Sequence, residues 1–257
     1  MTDNILVVDN LTKQFGGLKA VGGENGLSFN VKRGSLVGLI GPNGAGKSTT
    51  FNLISGVLDP SSGSVTLNGQ NLSNIKSSDI ASHGLGRTFQ TPRAFPSLTV
   101  IENVLVGADS PGESLMPVFS GSWRNNEVSL KSKAMEVLKK VGLFDRIEDI
   151  VANLSGGELR MLEVARQLVR DPEILLLDEP TAGVDPSLQG KLSSILVELH
   201  KEGKTLIVVE HNLHFLLSIA DAVIVLQNGQ LLAEGTPKEI KNDPRVIAAY
   251  LGDEYAA

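Results

Sequence analysis

Apolar residues fall along this chain in two rhythms. Short β-branched or leucine-rich runs at residues 5–8, 36–40 and 64–67, the last led in by Pro60-Ser61-Ser62-Gly63, predict strands near the start. Past about residue 100 the spacing lengthens to the period of a helix. Leu130, Ala134, Val137 and Leu138, set among lysines, predict a helix over 129–141, and Leu159, Leu162, Ala165 and Val169 share one face of a second over 158–170. Wholly apolar runs return at 174–177, 206–209 and 223–226, the first two separated by a helical segment over 188–200. Strands apolar at every position, alternating with helices, predict an α/β fold whose parallel sheet is covered on both faces. Residues 109–126, rich in Pro, Gly and Ser and holding the one tryptophan, Trp123, read as a loop within the helical part. Near the end, Thr236-Pro237-Lys238-Glu239 supplies an N-cap, a proline at the first helical position and a glutamate at the third, and Asp243-Pro244 repeats the cap and proline.

The 257 residues suffice for one large domain, or a domain with a sizeable subdomain. With 41% hydrophobic and 20% charged residues the chain is not disordered. Its 23 basic and 29 acidic side chains give a net charge of −6, the wrong sign for a protein that coats nucleic acid. Cysteine is absent, so the fold needs no disulfides and no oxidising compartment, which permits the cytoplasm. The opening residues mix acidic and polar groups into a short apolar run, unlike the basic start and longer apolar core of a signal peptide. No run of 18 uninterrupted apolar residues occurs, so a role at a membrane requires another chain to span it.

Residues 41–48 read Gly-Pro-Asn-Gly-Ala-Gly-Lys-Ser, between a predicted strand and a helix expected over 49–55. That is the pattern and the context of a phosphate-binding loop. Glycines allow backbone N–H groups to turn inward around phosphates, and the helix after the loop adds its positive N-terminal end. Lys47 would neutralise the β- and γ-phosphates and the Ser48 hydroxyl would hold Mg²⁺. The plainer alternative is a glycine turn before a helix.

The run at 174–177 ends in Asp178-Glu179-Pro180, two carboxylates at the C-terminal edge of a parallel strand, where such sheets bind ligands. There Asp178 would anchor Mg²⁺ and Glu179 would polarise an attacking water, unless the pair is only an acidic turn closing a core strand. In Leu154-Ser155-Gly156-Gly157-Glu158, Ser155 and Glu158 have the spacing of a capping box. Two glycines in a first helical turn are costly unless something approaches the backbone closely, and a helix start with bare N–H groups and a hydroxyl is an anion site. The two readings are compatible.

Together these elements resemble the nucleotide-binding subunit of an ATP-binding-cassette (ABC) transporter over nearly the whole chain. The resemblance implies a P-loop NTPase core, RecA-like, with an N-terminal antiparallel β part (residues 1–90 and 166–257) and a helical subdomain over about 91–165 carrying the signature Leu154 to Glu158. It implies ATP and Mg²⁺ as ligands, with the nucleotide bound by Phe15 on adenine, by Gly41, Pro42, Asn43, Gly44, Ala45, Gly46, Lys47, Ser48 and Thr49, and by Gln90. Catalysis would fall to Glu179, His211 and Lys47, and the metal to Ser48, Gln90 and Asp178. Ser155, Gly156, Gly157 and Asp185 would act on the nucleotide of a second subunit, identical or homologous. Phe15 has an alternative as a loop residue packed on the core. His83, His200 and His214 are read as structural. One position departs from the family pattern, Glu158 standing where glutamine is usual; it serves the helix cap equally but adds a negative charge near a phosphate site.

Further partners implied are two integral membrane permease subunits and, indirectly, a periplasmic or extracellular solute-binding protein, with the chain peripheral on the cytoplasmic face of the membrane. The segments 87–104, 111–114, 209–212, 234–237 and 243–246 resemble ATP-binding subunits of branched-chain and neutral amino acid importers, with urea and short-amide importers close by. Phe89, Pro92, Phe95 and Leu98 are expected to dock a cytoplasmic helix of the permease, or else to be core packing. Two other classes stay open: a soluble ABC ATPase acting on nucleic acid or ribosomes, which would carry two cassettes in one chain or long coiled-coil insertions, and basic patches, and a small-molecule or nucleoside kinase, which would have no use for residues 154–158, Gln90 and His211.

Overall fold

In chain order the first elements are β1 (Asn4–Phe15), β2 (Leu18–Val21), β3 (Leu27–Lys32), β4 (Leu36–Ile40), α1 (Lys47–Ile54), β5 (Ser62–Leu67), β6 (Gln70–Asn71), α2 (Ser77–Ile80) and β7 (Leu85–Arg87). Then come α3 (Val100–Gly107), α4 (Trp123–Lys140) and α5 (Gly156–Leu168). The last are β8 (Ile174–Asp178), α6 (Pro186–Lys201), β9 (Thr205–Val209), α7 (Leu213–Ile219), β10 (Ala222–Gln227), β11 (Gln230–Gly235), α8 (Pro237–Asn242) and α9 (Pro244–Glu254). The computed structural model describes residues 3–73, 75, 77–91, 93–108 and 123–254. The chain divides into two compact units, one of Met1–Arg87, Glu173–Pro180 and Leu196–Ala257, the other of Thr88–Pro172 and Thr181–Ile195.

The first unit holds both sheets. An antiparallel sheet runs β2-β1-β5-β6, with β3 also paired to β1. Its inward side chains alternate as half-buried strands require: in β3, Leu27, Phe29 and Val31 are buried while Ser28, Asn30 and Lys32 face out. The second sheet has the order β11-β10-β4-β9-β8-β7, parallel throughout except for the β10–β11 hairpin. β4, β8 and β9 are buried at every position, which is why their sequences carry no polar alternation. Ile5, Leu39, Phe51, Ile207 and Ile224 belong to a shared core in this unit.

Strand register sets where the loops of the parallel sheet emerge. Leu39 lies opposite Val209 and Val209 opposite Asp178, so the C-terminal ends of β4, β9 and β8 are level. The loops that leave those ends therefore stand side by side.

In the second unit α3 packs on α4 and α5, closing a core with Val100, Val104, Leu138, Met161 and Leu162. Both α3 and α5 start with a reciprocal capping box, Thr99 with Glu102 and Ser155 with Glu158. α5 begins two residues before the expected start, because the cap serine and not the first apolar residue sets it. α4 begins at Trp123, so the loop expected over 109–126 is corrected at its C-terminal end, and residues 109–122 lie outside the described residues. At the other end of the chain α8 opens with the expected Thr236 box and Pro237. No helix among the described residues is long and apolar enough to cross a membrane.

Candidate active site

Residues 41–46 link β4 to α1. Gly41 is required by space: a Cβ there would lie 2.2 Å from the Leu226 carbonyl oxygen and 2.9 Å from the Ala45 Cβ. The loop is thus pressed against the end of β10. Lys47, the first residue of α1, is buried, and its Nζ donates to the Gly41 carbonyl at 2.6 Å and the Pro42 carbonyl at 3.0 Å. Its ammonium is thereby held at the mouth of its own loop, beside the N–H groups of the first helical turn that have no partner within the helix. An open pocket of about 580 Å³ is lined by residues 43–49 together with Phe15, Leu18, Lys19, Ala20, His211 and Asn228. A fixed cation, a helix N-terminus and a flat aromatic in one pocket suit a base carrying a phosphate chain.

Phe15 ends β1 with 46% of its surface exposed, and Lys13 Nζ stands 5.3 Å from the ring centroid. The core-packing alternative for Phe15 does not hold; the ring lines the pocket.

Asp178 closes β8, and Glu179 comes next with its N–H donating to the Val209 carbonyl at 2.9 Å. Glu179 has φ +47°, a left-handed conformation uncommon outside glycine that costs on the order of 1–3 kcal/mol. That turn brings Glu179 Oε1 within 2.9 Å of His211 Nε2, two residues beyond Val209 on the neighbouring strand. His211 is in turn a wall of the pocket. Asp178 is buried, and Arg87 at the end of β7 places Nη2 3.5 Å from its Oδ2 while Nη1 donates to Ser55 Oγ at 2.5 Å. Arg87 is not among the residues whose type and spacing point to a role. The signal for it is only its place before Gln90, and the pairing across two strands appears in the fold alone.

Of the expected site residues, Phe15, Gly41 to Thr49, Asp178, Glu179 and His211 lie in the first unit, and Gln90, Ser155, Gly156, Gly157 and Asp185 in the second. Gln90 is exposed, and its segment is held by two buried charges of α5. Glu163 Oε1 accepts from the Phe89 N–H at 2.8 Å, and Arg160 donates to the Phe89 carbonyl at 2.8 Å and to the Gln90 carbonyl. Burial pushes the Glu163 carboxyl up, against the lowering effect of the Phe89 N–H and Arg160. Ser155 and Gly156 are exposed. Gly157 has an internal reason to be glycine: a Cβ there would meet Leu188 Cδ1 at 2.4 Å, so α6 is the group that approaches this backbone. The same approach sets the Gly183 carbonyl 3.5 Å from a Cβ built on Gly156, bringing the loop of Asp185 beside the signature glycines. Asp185 is exposed, and its carbonyl accepts from Leu188 and Gln189 at the start of α6.

A second support was missed from sequence. The β10–β11 turn is Asn228-Gly229, with φ +50° and +74°; the Gly229 N–H donates to the Ala45 carbonyl at 3.0 Å and its carbonyl accepts from Gly22 at 2.7 Å. An Asn-Gly pair between two apolar runs is the readable signal of a two-residue hairpin. A Cβ on Gly229 would lie 2.7 Å from the Ala20 carbonyl oxygen. Gly229→Ala is therefore expected to destabilise the protein by about 1–3 kcal/mol and to weaken ATP binding as the loop's backing shifts. Denaturant midpoints and titration with a fluorescent ATP analogue check this; an unchanged ATP affinity would contradict it.

Among the described residues no group of three or more His, Asp or Glu side chains could hold a metal ion unaided. The available donors, the Ser48 hydroxyl and the Asp178 carboxylate, are hard oxygens. That fits Mg²⁺, which is usually bound by one or two protein oxygens and the phosphates themselves.

The ABC transporter family model matches residues 24–182. A second model, branched-chain amino acid ATP-binding cassette transporter, matches 230–256. The probable branched-chain amino acid transport ATP-binding protein LivG of Archaeoglobus fulgidus is 39% identical over 248 residues, covering 96% of this chain and 95% of its own. The high-affinity LivG of Escherichia coli K12 is 38% identical over 259 residues, covering 98% and 100%. Among solved structures, MJ1267, an ATP-binding cassette of an ABC transporter in its ADP conformation, superposes with a TM-score of 0.84 at 35% identity, covering 97% of this chain and 99% of that one. The dimeric MJ0796 cassette does so with 0.73 at 27% identity, covering 90% and 98%. With its loop, carboxylates and sheet order in the places described, the chain belongs to the ABC transporter family and is one of its ATP-binding cassettes.

Proposed function

We propose that this chain is the ATP-hydrolysing subunit that powers a membrane importer for branched-chain or other neutral amino acids. The observation that carries the enzymatic part is the level edge of β4, β9 and β8, where Lys47, the Glu179–His211 pair and Asp178 emerge together. Support for the solute comes from the relatives, whose names specify branched-chain amino acid transport, and from the C-terminal model over 230–256.

In this reading the two units are the core and helical subdomain of one nucleotide-binding domain. Phe15 stacks on adenine, the N–H groups of residues 41–49 cradle the phosphates, and Lys47 leaves its own carbonyls for the γ-phosphate. Ser48, Asp178 and Gln90 would hold Mg²⁺, which would supply positive charge to neutralise the phosphates. Arg87 fixes the Asp178 carboxylate for that task. Glu179 orients the attacking water and takes its proton, and His211 aims the Glu179 carboxylate and contacts the γ-phosphate. Ser155, Gly156, Gly157 and Asp185 serve the nucleotide of a second copy or homologue. Two permease subunits and a solute-binding protein complete the transporter, with the cassette peripheral on the cytoplasmic face. A charge of −6 argues against the nucleic-acid alternative.

Deleting the gene and measuring uptake tests the solute. Loss of leucine or neutral amino acid uptake is expected; unchanged amino acid uptake with lost urea uptake would move the assignment to a urea or short-amide importer.

The docking surface has its centre at Phe95. Asn103, buried on α3, accepts from the Phe95 N–H at 2.8 Å and donates to its carbonyl at 3.0 Å, while Phe95 remains 44% exposed with the Arg166 guanidinium 5.4 Å from its ring centroid. Phe89 and Leu98 are partly buried, and Pro92 lies outside the described residues. A rigid backbone at an exposed phenylalanine suits an apolar contact with the permease. Phe95→Glu is expected to abolish coupled transport while retaining basal hydrolysis by the isolated subunit. Intact transport in that variant would refute the docking role.

A further inference from the structure

Among the described residues, three helices begin with the same reciprocal box. In each, one glutamate oxygen accepts both the N–H and the hydroxyl of the cap residue: at 2.8 and 2.9 Å for Thr99 with Glu102, at 2.8 Å twice for Ser155 with Glu158, and at 2.8 Å twice for Thr236 with Glu239. The cap oxygen accepts from the glutamate N–H in return, at 3.3 Å for Ser155. A serine hydroxyl has one proton and a carboxylate is an acceptor only, so in this geometry the Ser155 proton is committed to Glu158.

The box at Ser155 differs from the other two in its surroundings. Glu158 Oε1 lies 2.7 Å from Arg146 Nη1, and Arg146 is itself fixed by Asp149 and by the Asn153 carbonyl. Burial opposes the charge on Glu158, but the Ser155 hydrogen bonds and the charges of Arg146 and Lys191 outweigh it and hold the carboxyl below its usual range. For Glu102 and Glu239 only the cap hydrogen bonds lower it. One glutamate of three is thus given a counter-cation, and it is the one on the helix proposed to meet phosphate.

We propose that Glu158, held by Arg146, competes with the γ-phosphate of a facing subunit's ATP for the Ser155 hydroxyl proton, weakening ATP-driven closure, while Arg146 keeps the carboxylate's charge from repelling that phosphate. The inference rests on the shared-site reading of Ser155. A glutamine at 158 still completes the capping box, but its amide oxygen is a weaker acceptor than a carboxylate and carries no net charge. Both changes favour the phosphate.

The test uses the full chain and compares wild type, Glu158→Gln, Arg146→Met and the double variant. Two quantities are read at fixed protein concentration: the ATP concentration for half-maximal hydrolysis, and the concentration of a β,γ-imido ATP analogue with Mg²⁺ that gives half dimer by size-exclusion chromatography. Glu158→Gln is expected to lower both by about 3- to 10-fold, the range of one charge-assisted hydrogen bond exchanged for a neutral one. Arg146→Met is expected to raise both, and the double variant to return to the wild-type value or below. Unchanged or raised values in Glu158→Gln would overturn the competition, and no rise in a folded Arg146→Met would overturn the compensation. Should Arg146→Met fail to fold, Glu158→Gln decides alone. Ser155→Arg, run alongside, separates the two readings. If it dimerises as wild type does, the shared site and this inference both fall; if it blocks the dimer while Glu158→Gln changes nothing, only the inference falls.

Discussion

Replacing Glu179 with glutamine is expected to slow ATP hydrolysis by about 10²- to 10⁴-fold while leaving ATP binding intact, the usual worth of a positioned general base. Glutamine is nearly isosteric, so it can occupy the same left-handed backbone at φ +47° and keep the N–H bond to Val209. What disappears is the carboxylate that His211 Nε2 meets at 2.9 Å, and with it the ability to take a proton from water. The phosphate loop, which follows β4, and Lys47, which opens α1, are untouched. The variant should therefore accumulate an ATP-bound dimer visible by size-exclusion chromatography. Single-turnover hydrolysis at the wild-type rate would remove Glu179 from the mechanism.

Ser155→Arg is expected to abolish ATP-dependent dimerisation, a loss of more than about 100-fold in association for a central contact replaced by a bulky one, without preventing a monomer from binding ATP. Loss of the N-cap alone costs about 1 kcal/mol, too little to unfold a domain of this size. The larger effect comes from the bulk of an arginine side chain on the exposed Ser155–Gly156 surface, filling the space where the shared-site reading seats a phosphate. Ser155→Ala separates the contributions, since it removes the cap and the hydroxyl without the bulk. Normal dimerisation of Ser155→Arg with ATP would show that each site is complete within one chain.

The parts of this fold that were legible in the sequence are those where local chemistry and tertiary demand agree. β4, β8 and β9 are buried on both faces, so unbroken apolar runs marked them within a residue. α8 and its cap were readable because Thr236, Pro237 and Glu239 act within one turn. β3 escaped notice because only Leu27, Phe29 and Val31 are inward and a three-residue alternation is easily lost. α3 was missed although Thr99 and Glu102 make the same box as Ser155 and Glu158, since its eight residues give little room for a helical period to declare itself. Among the candidate site residues, the phosphate loop, Asp178 and Glu179 are legible by type and spacing. Arg87 against Asp178, Gly229 behind Ala45 and the Arg160–Glu163 hold on Phe89 are contacts between distant segments, and no local pattern encodes them.

The sheet order also dictates when during synthesis this protein becomes an ATP-binding object. β4 is flanked by β9 and β10, and Gly41 leans on Leu226, so the phosphate loop leaves the ribosome roughly 180 residues before the strand that backs it. At about 5–20 residues per second that interval lasts roughly 10–40 s. The antiparallel sheet, by contrast, is complete once β6 ends at Asn71, from neighbours close in the chain. A nascent chain arrested near residue 180 should therefore show protease resistance in the antiparallel strands of its first 71 residues and none in the loop around Lys47. Resistance there should arrive only once β10 and the Asn228-Gly229 turn have emerged. For most of its translation the chain holds β4, an apolar strand, without the β9 and β10 that flank it in the finished sheet.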